Sequence, residues 1–320
     1  MRVLITGGAG FVGSNLADRL LARGDTITVI DNFETARRDN LTSNRNLTLI
    51  EGSIADKNVV DHAFTEHRPE VVVHAAASYK DPDNWYGDAM TNVVGTVNVV
   101  RASERLKVGR LIYLQTALGY GLHPIEQPIT LNHPLNPGGS SYAISKTAGE
   151  EYIFLSSLDY VSFRLANAYG PRNLSGPLPT FYQRLTTNKS VFVMDTRRDF
   201  IYVSDLVDVI SLAVEGRGRR GPYHVSSGSD YSIKELFDNT VKALGIKLEK
   251  DVEVRPRNPD DVATILLDPS KTEEDFDWQI TTPLEVGVAA TIDYYKSHGI
   301  EQTYTHLKPV GEKAPVGDNK

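Results

Sequence analysis

Short runs of aliphatic and β-branched residues alternate with amphipathic stretches through the first half of the chain. Arg2-Val3-Leu4-Ile5-Thr6 predicts a buried strand that runs straight into glycines. Ser14 to Ala22 follows, with Leu16, Leu20 and Leu21 on one face of a helix. Thr26 to Ile30 predicts a second strand and Leu47 to Ile50 a third. Val71 to Ala77 predicts a fourth, apolar enough to be covered on both faces. A long helix is expected from Ala89 to Leu106, a fifth strand at Leu111–Gln115, a helix from Ser141 to Leu155 and a sixth strand at Val161–Leu165. Such alternation is the pattern of parallel βαβ units, so residues 1–166 are expected to form an α/β domain, a doubly wound parallel sheet.

After Asn167 the texture changes. Pro and Gly cluster between Gly170 and Pro179, and the predicted strands become short: Val191–Val193, Tyr223–Val225 and Ile265–Leu267. Helical patterns appear at Ser204–Val214, Ser232–Leu244 and Leu284–Tyr295. Residues 167–307 are expected to form a smaller, mixed α/β C-terminal lobe that binds substrate. The polar tail 308–320 is expected to be mobile.

Composition narrows the classes. The 320 residues include no cysteine, which removes disulfide frameworks, thiolate nucleophiles and Cys-ligated metals. A net charge of −7 argues against wholesale binding to nucleic acid. No apolar run approaches the roughly 18 residues of a membrane span, and the N-terminus reaches glycines before a signal-peptide core could form. A cytoplasmic enzyme or binding protein is the expectation.

Gly7-Gly8-Ala9-Gly10-Phe11-Val12-Gly13 carries a G-x-G-x-x-G spacing between a predicted strand and a predicted helix. Glycines there let backbone approach a pyrophosphate, which then lies at a positive helix N-terminus. Asp31 ends the second strand near the expected spacing of about 20 residues. Its carboxylate can accept from both ribose hydroxyls and would repel a 2′-phosphate, which favours NAD over NADP and makes the sheet Rossmann-like. The bland alternative is a tight turn with no ligand.

Tyr142 and Lys146 stand at i and i+4, on one face of a helix. A neighbouring ammonium favours the phenolate and lowers a pKa that starts near 10, so Tyr142 is expected to act as a general acid/base. Alone, this spacing more often marks a solvated helix face.

Together these residues carry a resemblance. The chain resembles the extended short-chain dehydrogenase/reductases of the NAD-dependent nucleotide-sugar epimerase/dehydratase group. The match runs through Thr6–Gly13, Asp31-Asn32-Phe33, His74–Ala77, Asn92–Thr96, Tyr142 with Lys146, Arg164–Arg172 and Arg198–Asp205. It implies that Thr116 hydrogen-bonds the reacting sugar hydroxyl while Tyr142 takes its proton. It also implies that Lys146 holds the nicotinamide ribose. Gly7, Gly10, Phe11, Val12, Asp31, Asn32, Ser53, Ile54, Ala75, Ala76 and Ala77 are then expected around NAD. Asn92 would fix the helix beside the fourth strand.

The same loop discriminates between reactions. The 4,6-dehydratases place an Asp and a Glu where this chain has Ala117 and Leu118, and neither of these can move a proton. Decarboxylating relatives keep a Glu at the Leu118 position, and thiol-dependent relatives use cysteine near this loop. What survives is inversion at C4 through a 4-keto sugar, with NAD tightly bound and regenerated each cycle. A dehydratase or reductase on the same scaffold is the first alternative. The second is a non-catalytic NAD-binding sensor.

On the substrate side, the resemblance assigns Arg198 and Asn167 to a nucleotide diphosphate, with UDP as the expected base. Leu178 and Phe192 are assigned to that base, and Asp261 to its ribose. Arg257 stands one residue out of the family register. The short loop Ser78–Trp85 points to an unusual sugar, a uronic acid or amino sugar for a surface polysaccharide. Lys80 there either meets a uronate carboxylate or the nicotinamide ribose, or forms a salt bridge to Asp81 or Asp83. His74 is expected to be structural, Trp85 and Trp278 to be packing residues, and Arg217–Arg220 to be a solvated loop. No metal site is expected. Relatives pair through the helices matching 89–106 and 141–155, so a homodimer is expected.

Overall fold

The computed structural model describes residues 1–257, 261–300 and 302–304. Its centre is a seven-stranded parallel sheet. The strands are β1 (Arg2–Thr6), β2 (Thr26–Asp31), β3 (Leu47–Glu51), β4 (Val71–His74), β5 (Arg110–Thr116), β6 (Tyr160–Leu165) and Gly221–Val225. They lie in the order Gly221–Val225, β6, β5, β4, β1, β2, β3. Period-2 alternation sorts their side chains. Val3 and Ile5 face α1 (Phe11–Arg23) and the helix Val203–Val214, while Leu4 faces the opposite layer. That layer contains α2 (Lys57–His67), α4 (Thr96–Arg105) and α5 (Ser141–Phe154), with the short helix α3 (Trp85–Asp88) leading into it. Strand order reverses beside β1, and ligands of such sheets sit at the carboxyl ends of the strands there.

Three boundaries differ from the sequence expectations. Strand β4 stops at His74, so Ala75–Ala77 leave the sheet and line a cleft. The helix expected over 89–106 is a π-helical turn over Ala89–Gly95 followed by α4, with α3 running directly into it. The cause is local: Thr96 Oγ1 donates to the Asn92 carbonyl at 2.7 Å, and the Asn92 side chain is tied to Ser78 and Ser145. Finally, Gly221–Val225 pairs with β6 in the main sheet rather than in the second lobe.

The second lobe packs helices Pro177–Thr186, Ile233–Leu244 and Leu284–His298 around Leu178, Phe181, Leu236, Phe237, Val288 and Ile292. Short two- and three-stranded sheets join it to the first. Trp278 is buried as expected, but Trp85 is 67% exposed, because α3 presents its outer face to solvent. The tail 308–320 lies outside the described residues.

Candidate active site

A cavity of about 650 Å³ opens at the carboxyl edge of the sheet and continues under the second lobe. Its lining includes every predicted cofactor and substrate residue except Asn92 and Arg257. Asn92 is 1% exposed and acts as a pin: its amide accepts from Ser78 N and donates to Ser78 O and Ser145 Oγ. Arg257 donates to the Asp261 carbonyl instead of lining the cavity.

The glycine turn is shaped for close approach. Gly7 has φ +66°, and a Cβ there would lie 2.7 Å from the Ala76 backbone. A Cβ on Gly13 would meet the Gly7 carbonyl at 2.3 Å. Helix α1 starts at Gly10 with no side-chain cap, so its first N–H groups are left for a ligand beside Phe11 and Val12. Asp31, 8% exposed, accepts from Ala9 N and Phe33 N, both at 2.9 Å. Burial pushes its carboxyl up, and those backbone hydrogen bonds oppose the shift. Each oxygen keeps a further lone pair for a ribose hydroxyl. Asn32 caps its own loop by accepting from Glu34 N. Ser53 Oγ accepts from Ala55 N, and Ile54 packs under Gly95. These features fit a dinucleotide.

Ser140 caps α5, and the helix carries Tyr142 and Lys146 into the cleft opposite Thr116. Thr116 Oγ1 accepts from Leu118 N at 3.2 Å, which sets the turn that follows β5. Lys146 is 2% exposed, with its ammonium 4.0 Å above the Tyr113 ring. Tyr113 in turn donates to the Lys146 carbonyl at 3.0 Å.

The expected acidification of Tyr142 is not what the fold produces. Burial pushes the phenol up, and the charges of Tyr79 and Asp88 add to the shift. Burial also pulls Lys146 down to about 7, against the field of Glu150. A partly discharged ammonium is a weak counterweight to desolvation.

Three further placements depend on the tertiary fold. Arg198 and Asp261, assigned to different parts of a nucleotide, meet each other at 2.6 Å, both nearly buried. Lys80 pairs with Glu34 at 3.0 Å, and not with Asp81 or Asp83. The pair bridges the loops after β2 and β4 across the mouth of the cleft. His74 lies wholly buried between Thr6 Oγ1 and Thr96 Oγ1, held down to about 3 by burial and then by Lys146, which makes it a neutral structural residue.

Sequence reasoning missed Tyr79, whose ring stands edge-on to Tyr142 at 6.5 Å, and the buried carboxyl of Asp88 near that phenol. Neither belongs to a spaced motif, so only packing could reveal them. Among the described residues no His/Asp/Glu cluster could hold a metal.

A Rossmann sheet with a glycine turn, a buried acid at the end of β2 and a Thr-Tyr-Lys set defines a dinucleotide-dependent enzyme that oxidises or reduces a carbinol carbon. Residues 3–226 match the NAD dependent epimerase/dehydratase family. The chain is 32% identical to UDP-glucose 4-epimerase of Mycolicibacterium smegmatis, over 93% of this chain and 99% of that one. It is 52% identical to the Bordetella bronchiseptica enzyme WbmH, solved with NAD+, with a TM-score of 0.91 over 93% of this chain and 99% of that one. WbmG of the same organism, solved with NAD and UDP, is 44% identical, with a TM-score of 0.89 over 96% and 99% of the two chains. The protein belongs to the NAD dependent epimerase/dehydratase family, and NAD is its cofactor.

Proposed function

We propose that the protein inverts C4 of a UDP-linked sugar. The observation that carries this is the Thr116–Tyr142–Lys146 set lining the cleft with Ala117 and Leu118, two positions that supply no acid or base for elimination. Bound NAD would supply a reversible hydride acceptor for C4. Thr116 orients the sugar hydroxyl, and Tyr142 takes its proton and later gives it back. Lys146 holds the nicotinamide ribose. The two lobes enclose the freed keto sugar while it turns over. Arg198, paired with Asp261, faces the diphosphate; Leu178 and Phe192 flank the base, with the Arg255 guanidinium 3.7 Å from the centre of the Phe192 ring.

Purified protein without added cofactor is expected to convert a UDP-sugar to its C4 epimer of unchanged mass, read by proton NMR on a panel of UDP-, TDP-, GDP- and CDP-sugars. Loss of water, or a requirement for added NAD in stoichiometric amounts, would overturn this reading.

The finer reading is a uronic acid or amino sugar for a surface polysaccharide, supported by the short loop that carries Lys80. The Lys80–Glu34 bridge is partly exposed on both sides and worth only about 0–1 kcal/mol, so a sugar carboxylate can compete for the ammonium. Lys80→Ala is expected to cut kcat/KM for a UDP-uronate by about tenfold, with a much smaller loss on UDP-glucose. Equal losses on both would sink the uronate reading and leave C4 inversion standing. A homodimer is supported by exposed Trp85, Tyr86, Val94, Ile144, Tyr152 and Leu155 on the neighbouring helical segments, and sedimentation velocity would test it.

A further inference from the structure

Gln115 precedes Thr116 at the end of β5, lines the cavity and is 2% exposed. Its Oε1 accepts from Thr116 N at 2.7 Å, which fixes which way the amide is turned. The other end, Nε2, is buried with no hydrogen-bond partner. A buried amide donor left unmet is costly, and folded proteins seldom keep one without a reason. Strand alternation puts Gln115 on the same face of β5 as Tyr113, one step nearer the open edge of the sheet. Tyr113 is the residue whose ring lies under the Lys146 ammonium. The unmet N–H group therefore lies in the layer of the sheet that carries Lys146, on the nicotinamide side of the cleft.

We propose that Gln115 is a dinucleotide-binding residue, donating from Nε2 to an oxygen of the nicotinamide half of NAD. Thr116, on the opposite face of the strand, is left for the sugar. The two residues then divide the ligands between adjacent positions. The backbone N–H of Thr116 locks the amide that holds the cofactor, and its hydroxyl holds the substrate.

Replacement tests this, because Nε2 makes no bond in the empty fold, whereas the loss of Oε1 from Thr116 N is a separate structural cost that the two variants tell apart. Gln115→Met keeps the volume and discards the amide, and Gln115→Glu keeps the shape but replaces the donor with an acceptor. Each is purified, stripped of cofactor and titrated with NAD by calorimetry, and its urea midpoint is measured without NAD. Both variants are expected to bind NAD about tenfold more weakly, while the urea midpoint confirms that each remains folded without NAD; the Met variant alone loses the bond to Thr116 N. NAD affinity equal to the parent's in both folded variants would overturn the proposal. So would an unchanged NAD affinity with a raised KM for the sugar, which would reassign the amide to the substrate.

Discussion

Tyr142→Phe is expected to lower kcat by about 10²–10⁴-fold while the protein still folds and retains NAD. The substitution removes one oxygen from a half-buried ring that lines the cleft. Burial raises the Tyr142 phenol, which brings its proton affinity nearer that of the sugar hydroxyl it exchanges a proton with. The turn after β5 offers no replacement, since Ala117 and Leu118 carry no proton and Thr116 is a weak acid. The check is steady-state kinetics beside release and assay of bound NAD. Near-parental turnover with full NAD content would remove Tyr142 from the chemistry. Loss of NAD along with activity would make its role one of binding.

Glu150→Ala is expected to destabilise the fold by about 3–5 kcal/mol, read as a lowered urea midpoint. Glu150 is fully buried one turn beyond Lys146, and its carboxylate takes two bonds from Arg164, at 3.1 and 2.9 Å, and one from Ser162. Arg164, 4% exposed, also donates to the Tyr120 hydroxyl, which meets His224. Burial opposes the Arg164 charge, and Glu150 outweighs burial, so the guanidinium is held above its ordinary range. Removing Glu150 strands that charge in a dry core. The double variant Glu150→Leu with Arg164→Met removes both charges and is expected to recover most of the loss. A parental midpoint for Glu150→Ala alone would show that the pair contributes nothing. An unimproved double variant would show that the cost lies in packing rather than charge.

Both predictions concern α5, and they separate what was legible from what was not. The i, i+4 spacing of Tyr142 and Lys146 is a local property of a helix and could be read from the chain. The glycine turn and Asp31 were legible for the same reason: a tight turn, a strand end and a helix start lie within one βαβ unit. Proton affinities were not. The sequence placed an ammonium beside a phenol and so implied a lowered pKa, whereas burial acts on both groups and raises the phenol while lowering the ammonium. Dielectric is a property of everything packed around a group, and no spacing encodes it.

The Arg198–Asp205 stretch makes the same point. Arg198 lines the cleft, but Asp199 accepts from Ser227, and Asp205 accepts from Thr281 and Thr282. Much of what reads as a functional motif is therefore a joint between the sheet and the second lobe.

By itself the sequence determined the doubly wound sheet, the dinucleotide turn, the Thr-Tyr-Lys set and the lack of a second acid at Ala117 and Leu118. Each of these depends on residue type and short-range spacing. Only the tertiary structure decided that Arg198 answers Asp261, that Lys80 answers Glu34, that the helix through 89–106 takes a π-helical turn over Ala89–Gly95, and that Gln115 keeps an unmet donor. Those outcomes join residues far apart in the chain, or turn on whether a polar atom finds a partner once water is excluded. Packing alone settles such questions.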